Sequence, residues 1–252
     1  MAVAQPDCDL RHSLQSRSLW PGLGRRHSSD CSSTRATLQF RFDLDKLLNA
    51  LAYFADAGVG DLTKLKAAKL LYFADQRHLF RFGRPITGDR YIAMDLGPVP
   101  ESAFQLINRL ADLEEADDPV RKSALEVLKV HKGMLQSYAV IQSRKKPDLD
   151  VFSDSEIDVL RNVVADYGSR KARELVDLTH QHAAYKRADA SRSPGSSVEL
   201  PYEYFFDDAP AGSDCARALA DDAQAERAFA EALAAAGRSA LTGAGAGSSV
   251  RH

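Results

Sequence analysis

The chain has 252 residues, of which 44% are hydrophobic and 27% charged, and a formal charge of -2. That balance describes an ordinary globular polypeptide with apolar material for one substantial core or two small ones, and it excludes a strongly basic nucleic-acid binder while leaving room for a local basic face. No run reaches the roughly 20 apolar residues of a membrane-spanning helix, and the scattered Cys8, Cys31 and Cys215 suggest neither a disulfide framework nor a zinc pair, so a reducing cytoplasm is the expected setting.

Residues 1–37 are rich in Ser and Arg without an apolar period and read as a disordered tail; acids at Asp7 and Asp9 and the lack of an apolar core argue against a secretory signal. The first helix is expected to start at Asp43 as a cap and to run through Leu44, Leu47, Leu48, Leu51 and Phe54 to about Gly58. Asp61 is then expected to cap a second helix, KLKAAKLLYFADQRHLFRFGRP, which Gly83 and Pro85 end. Leu65, Ala68, Tyr72, Leu79 and Phe82 form one apolar stripe of this helix, with Asp75 in its middle, while Leu70, Phe73 and Phe80 form a second stripe. A helix apolar on two sides packs in several directions. Asp75 is therefore expected to be buried, and an unpaired buried carboxylate costs several kcal/mol, so it must find a donor, a cation, a metal or a partner.

A short strand, RYIAMD, follows, then a loop, LGPVP, stiffened by two prolines, and a helix from residue 100 or 101 to about 113. The acid-rich LEEADD marks a surface break, and LEVLKV and YAVIQS read as two strands of a small sheet. SDSE at 153–156 is a capping box opening a helix that ends at Gly168; Ser169 is expected to cap the next, which runs to LTH at 178–180. VELPYEYFFDD is expected to be extended, with Tyr202, Tyr204, Phe205 and Phe206 either closing the core or forming a sticky edge. An alanine-rich helix over 211–237 and a disordered tail over 238–252 complete the chain. The fold class is mainly α: a compact helical domain over 38–210 with a small antiparallel β-sheet.

Residues 62–100, with their KLLYFA core, the GRP break, the short strand and the GPV loop, resemble the Panacea domain, the antitoxin domain of SocA-like proteins. The capping box, Gly168, LTH and PYEYFF extend the resemblance over about residues 40–208. It departs at THQHAAYKRA, where a tryptophan is expected near Tyr185. The resemblance implies a non-enzymatic, bacterial or phage-associated protein of a toxin-antitoxin system, which neutralises a cognate toxin by direct binding and, in the SocA case, delivers it to a ClpXP-type protease. No cofactor is implied.

Three groups of residues are candidates for function. Tyr72, Asp75 and His78 on the second helix, with Leu96, Gly97, Pro98 and Val99 of the stiff loop, form a candidate toxin-contact surface; the bland alternative has Asp75 accepting bonds from Tyr91, Lys69 or a backbone amide and the loop serving only as a turn. Arg170, Lys171 and Arg173 open the second of two helices joined by a glycine turn, as a DNA-reading helix-turn-helix would, which suggests binding to its own promoter. A metal or acid-base site would need Asp75 and His78 to recruit a third group from His131, His180 or His182. No phosphate-binding glycine loop, nucleophile elbow or metalloprotease motif is present, and no enzyme is expected.

Overall fold

The computed structural model describes residues 38–111, 118–132, 139–214, 216–222, 224–226 and 228–229. The three cysteines, both expected tails and the end of the alanine-rich helix lie outside the described residues. Those between 214 and 229 that are described are helical.

Helix α1 (Leu44–Asp56) starts as its cap predicts, the Asp43 carboxylate accepting from the Lys46 amide at 3.0 Å. Helix α2 (Lys64–Phe82) is capped by Thr63, whose hydroxyl accepts from the Lys66 amide, and not by Asp61, which lies outside the helix at φ 48°. Its end is the expected one: Gly83, at φ 70°, turns the chain while its amide donates to the Leu79 carbonyl. Strands β1 (Tyr91–Met94) and β2 (Gly97–Pro100) then form an antiparallel hairpin pairing Met94 with Gly97 and Tyr91 with Pro100. The segment GPVP is thus a buried edge strand, where a loop was expected. Proline is compatible with that place because the outer side of an edge strand needs no donor. Helix α3 (Glu101–Ala111) follows directly, with the Asp89 carboxylate accepting from its first-turn amides Ser102 and Ala103 at 3.0 and 2.9 Å.

Helix α4 (Pro119–Val127), capped by Asp118, takes up the first half of LEVLKV, leaving β3 (Leu128–Lys132) to pair with β4 (Ala139–Ser143). The capping box opens α5 (Asp154–Tyr167) as expected. Helix α6 (Ala172–Thr179) begins after Lys171, two residues beyond the expected Ser169 cap, and a further helix, α7 (Ala183–Asp189), occupies HAAYKRAD. Only Val198–Glu199 of the aromatic segment is extended, as β5 beside β1; Tyr202–Phe205 is a helical turn, α8, continued by a 3-10 turn. The class is mainly α with minor antiparallel β: a three-stranded sheet ordered β2-β1-β5 and the two-stranded β3-β4 ribbon.

The core is built around α2, which packs against α1, α3, α5, α6 and β2, as its two apolar stripes require. Leu70, Leu71, Tyr72, Phe73 and Leu79 are all buried there. The aromatic segment closes the core: Phe205 meets the rings of Tyr72, Tyr91 and Tyr202 at 5.1 to 5.3 Å in edge or tilted contacts.

Candidate functional site

Five polar side chains of α2 point into the interior: Lys66, Lys69, Asp75, Gln76 and His78. Each reaches a segment outside the helix. The amine of Lys66 donates to the carbonyls of Gly60 and Gly168, both at 2.7 Å. Lys69, fully buried, donates to the Pro98 carbonyl of β2 at 2.8 Å. Gln76 and the Tyr72 hydroxyl bond Nδ1 of His182 ahead of α7, at 3.3 and 3.1 Å. His78 bonds the Arg84 carbonyl at 2.7 Å and the Ser155 hydroxyl at 3.1 Å, joining the end of α2 to the start of α5. The central helix thereby ties down the chain around it through bonds that water cannot replace.

Asp75 has the fullest set of partners. Its Oδ1 accepts from the Ile86 and Thr87 amides, both at 2.8 Å, and its Oδ2 from the Thr87 hydroxyl at 2.5 Å and the Tyr91 hydroxyl at 2.9 Å. Tyr91 and backbone amides were the expected donors; Lys69 turns instead to Pro98. Burial pushes the Asp75 carboxyl up to about 6, against the four donors that favour its charge. Burial likewise lowers His78 to about 4, its bond to the Arg84 carbonyl acting in the opposite sense. Asp75 and His78 share no partner, although both reach the loop that follows α2, Asp75 at Ile86 and Thr87 and His78 at Arg84. Among the described residues no three His, Cys, Asp or Glu side chains are grouped to hold a metal ion.

Of the candidate contact residues, Tyr72, Asp75 and His78 are fully buried, Gly97 and Pro98 are buried, and Val99 is 3% exposed, whereas Leu96 is 46% exposed. The surface of the candidate set is therefore the hairpin tip, Asp95 and Leu96, and the rest lies beneath it as support. Gly97, at φ 93°, permits the sharp reversal, and a Cβ there would sit 2.7 Å from both Lys69 Nζ and Thr179 Oγ1. The tip is clamped from outside as well. Arg192 bonds Asp95 at 2.5 Å and Asp189 at 2.8 Å, and the Tyr185 hydroxyl donates to the Met94 carbonyl at 2.9 Å. Beside it the rings of His180 and Tyr185 stack at 4.7 Å, and Nε2 of His180 is buried with no partner among the described residues. Sequence reasoning offered Lys69 only as a donor to Asp75 and missed Thr179 and Arg192 here. Lys69 carried a signal, a cation inside the apolar KLLYFA run, whereas Arg192 sits in a polar loop and carried none.

The helix-turn-helix candidates are exposed but engaged with their own helices: Arg170 donates to the Asp166 carbonyl at 3.2 Å, Arg173 pairs with Asp177 at 3.3 Å, and Lys171 precedes α6. Across 153–178 six acids face four basic residues, so the pair carries an excess of negative charge.

Among the described residues, no helix is long and apolar enough to cross a membrane. No curated protein and no solved structure matches the chain. A family model does: residues 68–186, from the second turn of α2 to α7, match the Panacea domain of SocA-like antitoxins. The hairpin and its buried supports lie inside the matched span, and this part of the chain is similar to the SocA-like antitoxin, Panacea domain family.

Proposed function

We propose that this protein neutralises a cognate toxin by binding it directly, with the tip of the β1-β2 hairpin as part of the contact surface. The family match over residues 68–186 carries the antitoxin role. The geometry suggests the place: a 46%-exposed leucine, Leu96, stands on a turn held from below by Lys69 and from the side by Arg192. A tip fixed in advance loses little conformational entropy on docking, which favours affinity. The tip alone is too small for a stable complex, which commonly buries about 1,200 to 2,000 Å² in total, so neighbouring surface, the partly exposed His180 included, completes it. Tyr72, Asp75 and His78 act in this reading by holding the hairpin and its flanking loops in place. No catalytic step is assigned to any of them.

The test is co-expression of the chain with the product of the adjacent gene. Rescue of growth and co-purification are expected, and Leu96→Asp should weaken both while leaving the melting temperature unchanged. A neighbour that is harmless alone, or rescue with no physical complex, would remove the reading. Toxin abundance separates two routes: occlusion leaves it unchanged, whereas delivery to a ClpXP-type protease lowers it only in cells that have the protease.

A further inference from the structure

A marked excess of basic residues lies away from the hairpin. Residues 118–147 hold seven Lys and Arg against two acids, in a chain whose formal total is -2. The described residues among them form α4, β3, β4 and the segment that follows β4. The register pairs Lys129 with Gln142, Val130 with Ile141 and His131 with Val140. Strand alternation separates the two faces. Leu128, Ile141 and Ala139 point inward and are buried, while Lys129, His131 and Gln142 point outward and are exposed. On that outer face His131 Nε2 and Gln142 Oε1 lie 2.9 Å apart. Beyond β4 the chain stays beside the start of β3, because the Arg144 amide donates to the Val127 carbonyl at 2.8 Å and its guanidinium to the Leu128 carbonyl at 3.1 Å. The exposed Lys145 and Lys146 therefore stand at the same end of the ribbon as Lys129.

We propose that the outer face of the β3-β4 ribbon, with Lys145 and Lys146, binds duplex DNA through its phosphates. The outer face of a β-ribbon can lie along a B-form major groove, and the lysines gathered at one end of this ribbon can meet the phosphates that border it. Lys129, His131 and Gln142 are polar, and beside them only the half-buried Val140 faces outward, so the face offers no large apolar anchor, whereas the core of a protein-protein interface is depleted in charge and built on aromatic and apolar groups. A polyanion with a polar surface therefore fits this face better than a folded protein does. The α5-α6 pair, with its acid excess, is the poorer carrier of the same activity.

The experiment measures fluorescence anisotropy of a short, labelled, random-sequence DNA duplex titrated with the full-length chain between about 50 and 200 mM salt. Binding at low salt is expected to weaken steeply as salt rises. In the triple variant Lys129→Gln, Lys145→Gln, Lys146→Gln, the log-log salt slope should become shallower by about 2.7, from about 0.9 per phosphate contact, with affinity at low salt reduced roughly tenfold or more. All three side chains are exposed, so the variant should fold normally. Absence of binding by the unaltered protein at low salt would overturn the proposal. So would an unchanged slope in the triple variant, or loss of binding only on Arg170→Gln, Lys171→Gln, Arg173→Gln. Competition by poly-L-glutamate as effective as by unlabelled duplex would assign the face to acidic protein instead.

Discussion

Replacing Asp75 by leucine should remove a large part of the folding stability, and the structure gives the size of the effect. The carboxylate accepts four hydrogen bonds inside a fully buried site. Leucine accepts none. The Thr87 and Tyr91 hydroxyls can rotate towards other acceptors, but the amides of Ile86 and Thr87 are fixed by the backbone and would be left bare. An unsatisfied buried donor costs about 1 to 3 kcal/mol, so the two together cost about 2 to 6 kcal/mol, a large fraction of the 5 to 15 kcal/mol by which folded domains are typically stable. Asp75→Asn separates this from a simple change of shape. Its carbonyl oxygen can still accept from both amides, its amide can donate to the two hydroxyls, and a buried charge is avoided, so the loss should be well below that of leucine. The assay is urea unfolding followed by circular dichroism, comparing midpoints at equal m-values. A leucine variant as stable as the unaltered protein, or an asparagine variant as damaged as the leucine one, would refute the view that fixed amide donors make this carboxylate structural.

The parts of the fold legible in the sequence are those set by signals within a few residues. The Asp43 cap, the Gly83 stop and the SDSE box depend on bonds three or four residues long, and all three stand where their residue types require. Two neighbouring caps were misplaced because several residues nearby could do the work: Thr63 serves α2 in place of Asp61, and α6 starts at Lys171 in place of Ser169. The strand character of GPVP was hidden by its prolines, which are compatible only with an edge strand, and edge position is decided by tertiary neighbours. Asp75 could be recognised as a buried polar group from its place in an apolar stripe. Its donors could not be fixed in the same way, since they lie 11 to 16 residues on and Tyr91 is brought to it by the sheet. The same limit hid the union of Lys69 with Pro98, 29 residues away. Exposure of Leu96 and burial of its neighbours likewise follow from the hairpin and not from the composition of the segment.

Two further perturbations test the support beneath the hairpin. Gly97→Ala would put a Cβ 2.7 Å from Lys69 Nζ and Thr179 Oγ1 at a backbone angle of φ 93°, so a loss of about 1 to 3 kcal/mol in thermal or urea unfolding is expected; an unchanged midpoint would show that the hairpin yields freely. The second concerns pH, where Asp75 and His78 act in opposite directions. Because the Asp75 carboxyl is raised from its ordinary 3.8 to about 6, the folded protein holds a proton there that the unfolded chain releases, and this group's contribution to stability declines as pH rises from about 4 to 6. Because His78 is lowered from its ordinary 6.5 to about 4, the unfolded chain takes up a proton that the folded site refuses, and its contribution declines as pH falls from about 6.5 to 4. Each shift corresponds to about 3 kcal/mol, so the two largely cancel in the unaltered protein. Relative to it, Asp75→Asn should lose stability progressively on acidification through that window, since only His78 remains, and His78→Gln should gain it, since only Asp75 remains. Free energies from urea unfolding at intervals between pH 4 and 6.5 read the difference directly. Parallel profiles for the two variants would mean that burial does not hold these groups in opposite protonation balance, and that the loops they bind are wet.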